Sequence, residues 1–141
     1  MWYTLEDSIA AKQAWSDVKK LLISARELIS DENRWVKKAE AVKRDKEGFH
    51  YKTKPTDPDA CKWCASGALT KSFDDLELQE NRIRLLSQSA LSSVIGGGSI
   101  VGFDDNRGTD HKDVLAMFDR AIGRVWHQLK WIDNTIEELK K

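Results

Sequence analysis

The thiol and imidazole groups are the side chains of this 141-residue chain best suited to chemistry. Cys64 becomes a nucleophile if His111 removes its proton and an acid such as Asp105 orients the imidazole. All three residue types are present, but sequence alone does not bring them together. A thiol-dependent hydrolase or transferase is therefore one hypothesis. The other is a core cysteine with an unrelated histidine at a helix start.

Cys61 and Cys64 form a Cys-x-x-Cys pair. A structural zinc needs four ligands, and the only plausible partners, His50 and His111, have no ligand-type spacing. The pattern also predicts that the pair lies a turn inside a helix that begins near Pro58, where the helix dipole lowers a thiol pKa only weakly. Buried thiols are the favoured interpretation, and we expect neither a metal nor a cofactor.

Two loops carry further candidate groups. The adjacent carboxylates of Asp104 and Asp105 could hold a divalent cation, but capping and turn formation are favoured because the loop they belong to runs into a predicted helix. The glycine run 96–98 could cradle a phosphate, yet no Gly-Lys-Ser/Thr follows it. We also expect no helix directly after the run, so a flexible connector is favoured.

Charge argues against most nucleic-acid partners. The chain has 23 basic and 23 acidic residues, so it lacks a broad positive field. A local basic cluster between residues 37 and 54 is interleaved with Trp35, Phe49 and Tyr51, an arrangement that can stack on single-stranded nucleic acid. Acidic residues in the same stretch (Glu40, Asp45 and Glu47) dilute it, so a solvated hairpin face is expected and nucleic-acid binding is not.

The expected compartment is the cytoplasm. The N-terminus shows no basic segment followed by an apolar core, so no signal peptide is expected. No apolar run approaches the roughly 18 residues that a membrane span needs. Six tryptophans are many for this length, and tryptophan often anchors protein interfaces.

The periodicity predicts a mainly α fold of four to five helices in one domain, 1–141. Helices are expected at 5–29, from Pro58 through Leu69, at 75–94, and from a cap at Thr109 or Asp110 to the C-terminus. A short β-hairpin is expected at 39–53, with Gly48 in its turn. Residues 95–108 are expected to form a loop, with an extended piece at 100–103.

The last helix carries an apolar seam with steps of four and three, running from Phe118 to Leu139. The favoured interpretation is that it packs antiparallel on the first helix, which carries a matching stripe. The alternative is a homodimer through the 118–139 helix.

Three blocks in the same order resemble a bacterial and phage domain family of unknown function. They are a Trp-containing segment at 34–37, a Trp-Cys-Ala-x-Gly-Ala-Leu element at 63–69, and a Thr-x-His-x-Asp-Val-Leu helix at 109–122. The resemblance covers roughly residues 18–125. The chain departs from the family pattern at Lys37-Lys38, where Gln-Gly is usual, and at Asp104, where Asn is usual. Cys61 lies outside the pattern.

The resemblance implies a shared fold and a shared pocket around Trp35, Trp63, Cys64, Asp105 and His111. Asp104 and Asn106 are further candidates for ligand binding, together with the two tryptophans. No known activity comes with the family. The leading hypothesis is therefore a non-catalytic protein that binds a protein partner or a small ligand, and a phage or mobile-element accessory role is suggested by association only.

Overall fold

The computed structural model describes residues 4–141, so Trp2 and most of the segment on which the signal-peptide prediction rests lie outside it. The mainly α prediction is confirmed, because residues 4–141 form five helices and only a small three-stranded antiparallel sheet. The helices are α1 (Leu5–Leu28), α2 (Ala65–Asp75), α3 (Asn81–Val94), α4 (Ile100–Asp105) and α5 (His111–Lys140), and the strands are β1 (Ala41–Arg44), β2 (His50–Thr53) and β3 (Lys62–Trp63).

The predicted first helix is confirmed as α1. Thr4 caps it, because its side chain accepts a hydrogen bond from the Asp7 amide at 3.0 Å. The apolar stripe is buried along one face, with Val18, Leu21 and Ala25 fully shielded from solvent. This face forms one wall of the core.

The last predicted helix is confirmed as α5, which begins with a reciprocal capping box between Asp110 and Asp113. Among the described elements, α5 packs most extensively against α1. Salt bridges join Lys12 to Asp133 and Arg26 to Asp119, so the two helices run antiparallel, as the favoured interpretation expects. The seam side chains Phe118, Val125 and Ile132 are buried in this contact layer.

The β-hairpin is confirmed. β1 pairs antiparallel with β2 from Ala41 opposite Thr53 to Arg44 opposite His50. Gly48 has φ of +89°, which lets the turn close without a Cβ penalty. The third strand, β3, pairs with the other side of β1, so the sheet order is β2-β1-β3 and β2 is an edge strand.

The predicted helix from Pro58 is wrong in its first half. Residues 54–60 form successive turns, in which the Asp57 amide bonds to the Lys54 carbonyl and the Ala60 amide to the Asp57 carbonyl. The chain then pairs with β1 as β3, and the helix begins only at Ala65. Pairing with β1 gives the backbone N–H and C=O groups of Lys62 and Trp63 hydrogen-bond partners in the sheet, which they would not have if the helix began at Pro58.

Two further boundaries differ from the predictions. The helix expected at 75–94 is α3, which ends at Val94 as predicted but begins only at Asn81, because α2 extends to Asp75 and a turn with Glu77 at φ of +55° lies between them. The segment 100–103, expected to be extended, belongs to α4. Ser99 caps α4 by accepting the Gly102 amide at 3.1 Å, so a short helix does follow the glycine run.

No helix among residues 4–141 is both long enough and apolar enough to cross a membrane.

Candidate functional site

Trp35 lies where α1, the sheet and α4 converge. It follows the 3₁₀ turn Glu32–Arg34 and forms a parallel β-bridge with Trp63. Its indole Nε1 donates a hydrogen bond of 2.9 Å to Oδ1 of Asp104. The tryptophan therefore joins the segment after α1 to the C-terminal part of α4.

Asp104 is completely buried and uses both of its carboxylate oxygens. While Oδ1 accepts from Trp35, Oδ2 accepts from the Ala65 amide at 2.8 Å, in the first turn of α2. Burial raises the pKa of Asp104 because it disfavours the charged form, and the two hydrogen bonds act in the opposite direction. An acid at this point links α4 to the start of α2.

Cys64 is the N-cap of α2. Its Sγ accepts a hydrogen bond from the Gly67 amide at 3.3 Å, and its own amide bonds to the Glu40 carbonyl at 3.2 Å. The side chain is only 4% exposed. Burial raises the pKa of the thiol to about 11, although the bond from Gly67 opposes this shift. At neutral pH the thiol is protonated and hence a weak nucleophile.

His111 is the first residue of α5, and its imidazole lies beside the Trp35 ring with 5.6 Å between ring centroids. Its Nε2 lies 2.6 Å from the Ile29 carbonyl oxygen. A carbonyl can only accept, so Nε2 carries the proton in this contact. The imidazole thus ties the end of α1 to the start of α5, and its hydrogen bond is directed at Ile29.

Asp105 and Asn106 contact the loop that precedes β1. The Lys38 amide donates to Oδ1 of Asp105 at 2.7 Å, and Nζ of Lys37 donates to the Asn106 carbonyl at 2.8 Å. Lys38 has φ of +65°, a left-handed conformation that a non-glycine residue rarely adopts. The bond from Asp105 holds this loop in place.

A small cavity of about 210 Å³ lies between this loop and α4. It is lined by Lys38, Ala39, Glu40, Cys64, Val101 and Asp105. The structure therefore brings two of the predicted catalytic residues, Cys64 and Asp105, to one cavity, and His111 is not among its lining residues. Trp63 does not line this cavity either, and its Nε1 donates to the Pro55 carbonyl at 2.9 Å.

The two cysteines of the Cys-x-x-Cys pair flank β3, with Cys61 directly before the strand and Cys64 directly after it at the N-cap of α2. Both thiols are free, and Sγ of Cys61 lies 3.5 Å from the Val42 carbonyl oxygen. Within residues 4–141, no group of three or more His, Cys, Asp or Glu side chains is placed to hold a metal ion.

Gly67 is a structural residue of this region that the sequence analysis missed. A Cβ at this position would lie 1.8 Å from the Glu40 carbonyl oxygen, so the start of α2 and the chain before β1 approach too closely for any side chain. The signal was present in the Gly-Ala pair of the 63–69 element, since a glycine inside a helix often marks close backbone approach.

The fold is mainly helical with a short antiparallel sheet, and around Trp35 and Asp104 the segment after α1, the start of α2 and α4 are joined by hydrogen bonds. The chain belongs to a family of unknown function, DUF6197, whose model matches residues 14–124. That span contains every residue of the candidate site, and it confirms the expected membership in a family of unknown function. Searches of curated proteins and of solved structures gave no significant match.

Proposed function

We propose that this domain is a non-catalytic binding protein. The observation that carries the proposal is the role of Cys64, whose buried thiol caps α2 and whose pKa is raised to about 11. A nucleophilic cysteine needs the opposite, a lowered pKa and access to substrate. The residues that resemble catalytic groups, Cys64, His111 and Asp105, make hydrogen bonds that cap a helix or join helices and loops.

The orientation of His111 supports the same proposal. A general base for Cys64 would have to lie within hydrogen-bond reach of its thiol, yet His111 is held at the Ile29 carbonyl and does not line the cavity at Cys64. The alternative, a thiol-dependent hydrolase or transferase, draws its support from the cavity that Cys64 shares with Asp105.

The proposed partner surface is the solvent-facing side of α5. Trp126 is 43% exposed on α5, and Nζ of Lys130 lies 4.5 Å from its ring centroid. Exposed tryptophans flanked by cations are typical anchors of protein interfaces. The partner is another protein or a second copy of this chain, which would meet α5 on this side because the seam residues pack on α1.

A small ligand has a separate candidate place. A cleft of about 190 Å³ between α1, α3 and α5 is lined by Trp15, Trp131 and Arg82, with Gln128 and Thr135 as polar neighbours. Two indoles and a guanidinium suit a flat molecule with an anionic group. The resemblance to a bacterial and phage family extends the proposal to an accessory role in phages or mobile elements.

Alkylation tests the non-catalytic assignment. The Cys61→Ser variant, which keeps Cys64 as its sole thiol, is treated in its native state with iodoacetamide at about pH 8 and followed by mass spectrometry. A thiol with a pKa near 11 is expected to react about 100-fold more slowly than a free thiol, since only its thiolate reacts. Reaction faster than a free cysteine would favour the thiol enzyme.

Native mass spectrometry tests self-association through α5. The wild-type chain is compared with Trp126→Ser and with Leu85→Ser, a control at a 55% exposed apolar residue of α3. A dimer that only Trp126→Ser disrupts would support the homodimer. A monomer at tens of micromolar would exclude it and leave a different protein as the partner.

A further inference from the structure

Strand β2 lies at the edge of the sheet, and its outer side is open. The sheet order is β2-β1-β3, so β2 pairs with β1 on one side, and among residues 4–141 no strand lies on the other. His50, Tyr51 and Lys52 are all exposed. An edge strand of this kind presents backbone N–H and C=O groups with which another strand can pair. We call this side of β2 the free edge.

The hydrogen-bond register identifies the backbone groups of the free edge. The Asp45 amide donates to the Phe49 carbonyl at 2.9 Å, so the alternation of an antiparallel ladder directs the backbone groups of Phe49 and Tyr51 toward β1. The N–H and C=O groups of His50 and Lys52 therefore point away from β1. No loop within residues 4–141 covers them with a backbone hydrogen bond.

Cations lie on one face of the sheet at the free edge. Directly opposed residues of antiparallel strands share a face, and side chains alternate along each strand, so Arg44, His50 and Lys52 project to the same side. Nε of Arg44 donates to Nε2 of His50 at 3.0 Å, which orders the guanidinium and leaves its other N–H groups available. None of the ion pairs among residues 4–141 involves Arg44 or Lys52. This face therefore carries positive charge without an acidic partner.

The opposite face of the same edge carries aromatic rings and no net charge. Tyr51 lies there opposite Lys43, whose Nζ is paired with Asp57 at 2.8 Å and lies 5.4 Å from the Tyr51 ring centroid. Phe49 continues this face, because side chains alternate along the strand. Phe49 is 71% exposed and Tyr51 is 47% exposed. The free edge thus has cations on one face and exposed rings on the other.

We infer that the free edge of β2 binds an extended segment of a partner protein in which acidic residues alternate with apolar ones. A polypeptide strand offers N–H and C=O groups at the spacing that His50 and Lys52 require, whereas a nucleic acid or a membrane surface does not. In an added strand, every second side chain lies on the cationic face and the others lie beside the rings. Acidic side chains would therefore meet Arg44 and Lys52, and apolar side chains would meet Phe49 and Tyr51.

The charges of β2 argue against a second copy of this chain at the free edge. A symmetric antiparallel pairing of two β2 strands would set the basic residues His50 and Lys52 of one copy against those of the other, and like charges directly opposite each other are destabilising. A lysine on an edge strand also keeps uncharged strands away. An acidic strand turns the same lysine into a favourable neighbour. The free edge is separate from the proposed partner surface on α5, so either proposal can fail alone.

Fluorescence anisotropy with a fluorescein-labelled peptide of about seven residues, in which glutamate and valine alternate, tests the inference on the full chain. Saturable binding is expected. A peptide of the same composition with its glutamates and valines in two blocks is expected to bind about fivefold more weakly, because it cannot place acids and apolar groups on separate faces. An alternating lysine–valine peptide is expected not to bind, because its charges oppose those of the edge.

Two substitutions of His50 isolate the backbone contribution. His50→Pro removes the outward N–H and leaves the ladder to β1 intact, since edge strands tolerate proline where the N–H faces solvent. His50→Ala keeps that N–H and is the matched control. We expect His50→Pro to bind the glutamate–valine peptide about fivefold more weakly than His50→Ala, which corresponds to one lost hydrogen bond.

Hydrogen exchange on the wild-type chain gives a second readout, which also serves if proline unfolds the strand. The amides of His50 and Lys52 are expected to become protected when the glutamate–valine peptide binds. The Tyr51 amide faces β1 and is expected to change little.

Side-chain variants test the two faces separately. Lys52→Glu is expected to weaken binding about fivefold or more, because an attraction becomes a repulsion, whereas Lys20→Glu, at an exposed position of α1, is expected to change affinity less than about twofold. Phe49→Ser/Tyr51→Ser is expected to weaken binding about threefold. Circular dichroism confirms that each variant is folded.

Four outcomes would overturn the inference. The first is no saturable binding of the glutamate–valine peptide up to about 1 mM. The second is equal binding of the block peptide, which would indicate a general charge attraction. The third is that the amides of His50 and Lys52 stay unprotected in the presence of the peptide. The fourth is that an oligothymidylate of equal charge binds as tightly as the glutamate–valine peptide.

Discussion

The indole of Trp35 and the carboxylate of Asp104 are joined by a hydrogen bond of 2.9 Å across 69 residues of sequence. The same carboxylate accepts the first amide of α2, at Ala65. One buried side chain therefore holds together the segment after α1, the start of α2 and α4. Polar contacts of this kind fix the relative placement of elements, because a buried donor left without its acceptor is costly.

Replacing Asp104 with Asn is expected to lower the free energy of unfolding by about 1–3 kcal/mol, because an NH₂ group that cannot accept replaces one carboxylate oxygen and leaves either Trp35 or Ala65 without its acceptor. Urea unfolding followed by circular dichroism measures the change. The control is Asp74→Asn at an exposed position of α2, for which we expect a change within about 0.5 kcal/mol. Equal effects of the two substitutions would contradict the proposed role of Asp104.

The same acid predicts a pH dependence. Because burial raises the pKa of Asp104, the folded state holds this proton more tightly than the unfolded chain, where the ordinary value is 3.8. Its contribution to stability is then greatest below pH 3.8 and falls as the pH rises through the raised pKa. Unfolding measured across this range should show a smaller decline for Asp104→Asn, and identical profiles would argue against a buried ionisable group.

Asp57 is expected to act with the opposite sign. Its hydrogen bonds from Lys43 and Thr53 hold the pKa of its carboxyl well below 3.8, so its contribution is present above that value and is lost as the pH falls through the lowered pKa. In thermal unfolding at acidic pH, Asp57→Asn should show a shallower acid destabilisation than wild type. A profile that remains as steep would mean that the Lys43 pair contributes nothing to stability.

Gly67→Ala is expected to be among the most damaging single substitutions in the described chain. Its Cβ would lie 1.8 Å from the Glu40 carbonyl oxygen, so α2 or the chain before β1 must shift. We expect a loss of about 3 kcal/mol or more, as for severe overpacking. Chemical denaturation measures the loss.

Gly123→Ala in α5 is the matched control, because a Cβ there meets nothing within 4 Å. It is expected to stabilise the chain by about 0.5–1 kcal/mol through the better helix propensity of alanine. A tolerated Gly67→Ala would show that the backbone contact with Glu40 relaxes freely.

The helices with long apolar stripes were predictable from sequence. In α1 and α5 the periodicity, the caps and the packing partner all agree, so local preference and tertiary contact point to one answer. The hairpin was predictable for the same reason, because the Asp45–Gly48 turn and its flanking residues suit it. The stretch before Cys64 was not predictable, since its two prolines are compatible with a helix start as well as with the turns that the structure shows there.

Tertiary contacts decide the regions that sequence reasoning misplaced. Residues 62–63 become a strand only because β1 offers its unpaired edge, and no local property of Lys62 or Trp63 signals this. The placement of Asp104 rather than Asp105 at the buried position depends on which face α4 turns inward. Adjacent aspartates in a sequence carry no such information.

The capping role of Cys64 gives a final prediction about side-chain chemistry. A serine accepts the Gly67 amide at least as well as a thiol, whereas alanine leaves that amide without its cap. We expect Cys64→Ala to lower the free energy of unfolding by about 1 kcal/mol and Cys64→Ser to lower it less. Cys61→Ala is the control, because Cys61 precedes β3 and caps no helix. Serine keeps the capping acceptor but lacks the larger apolar sulfur. If Cys64→Ser proved as destabilising as Cys64→Ala, the sulfur would therefore stabilise this position by packing and not by capping.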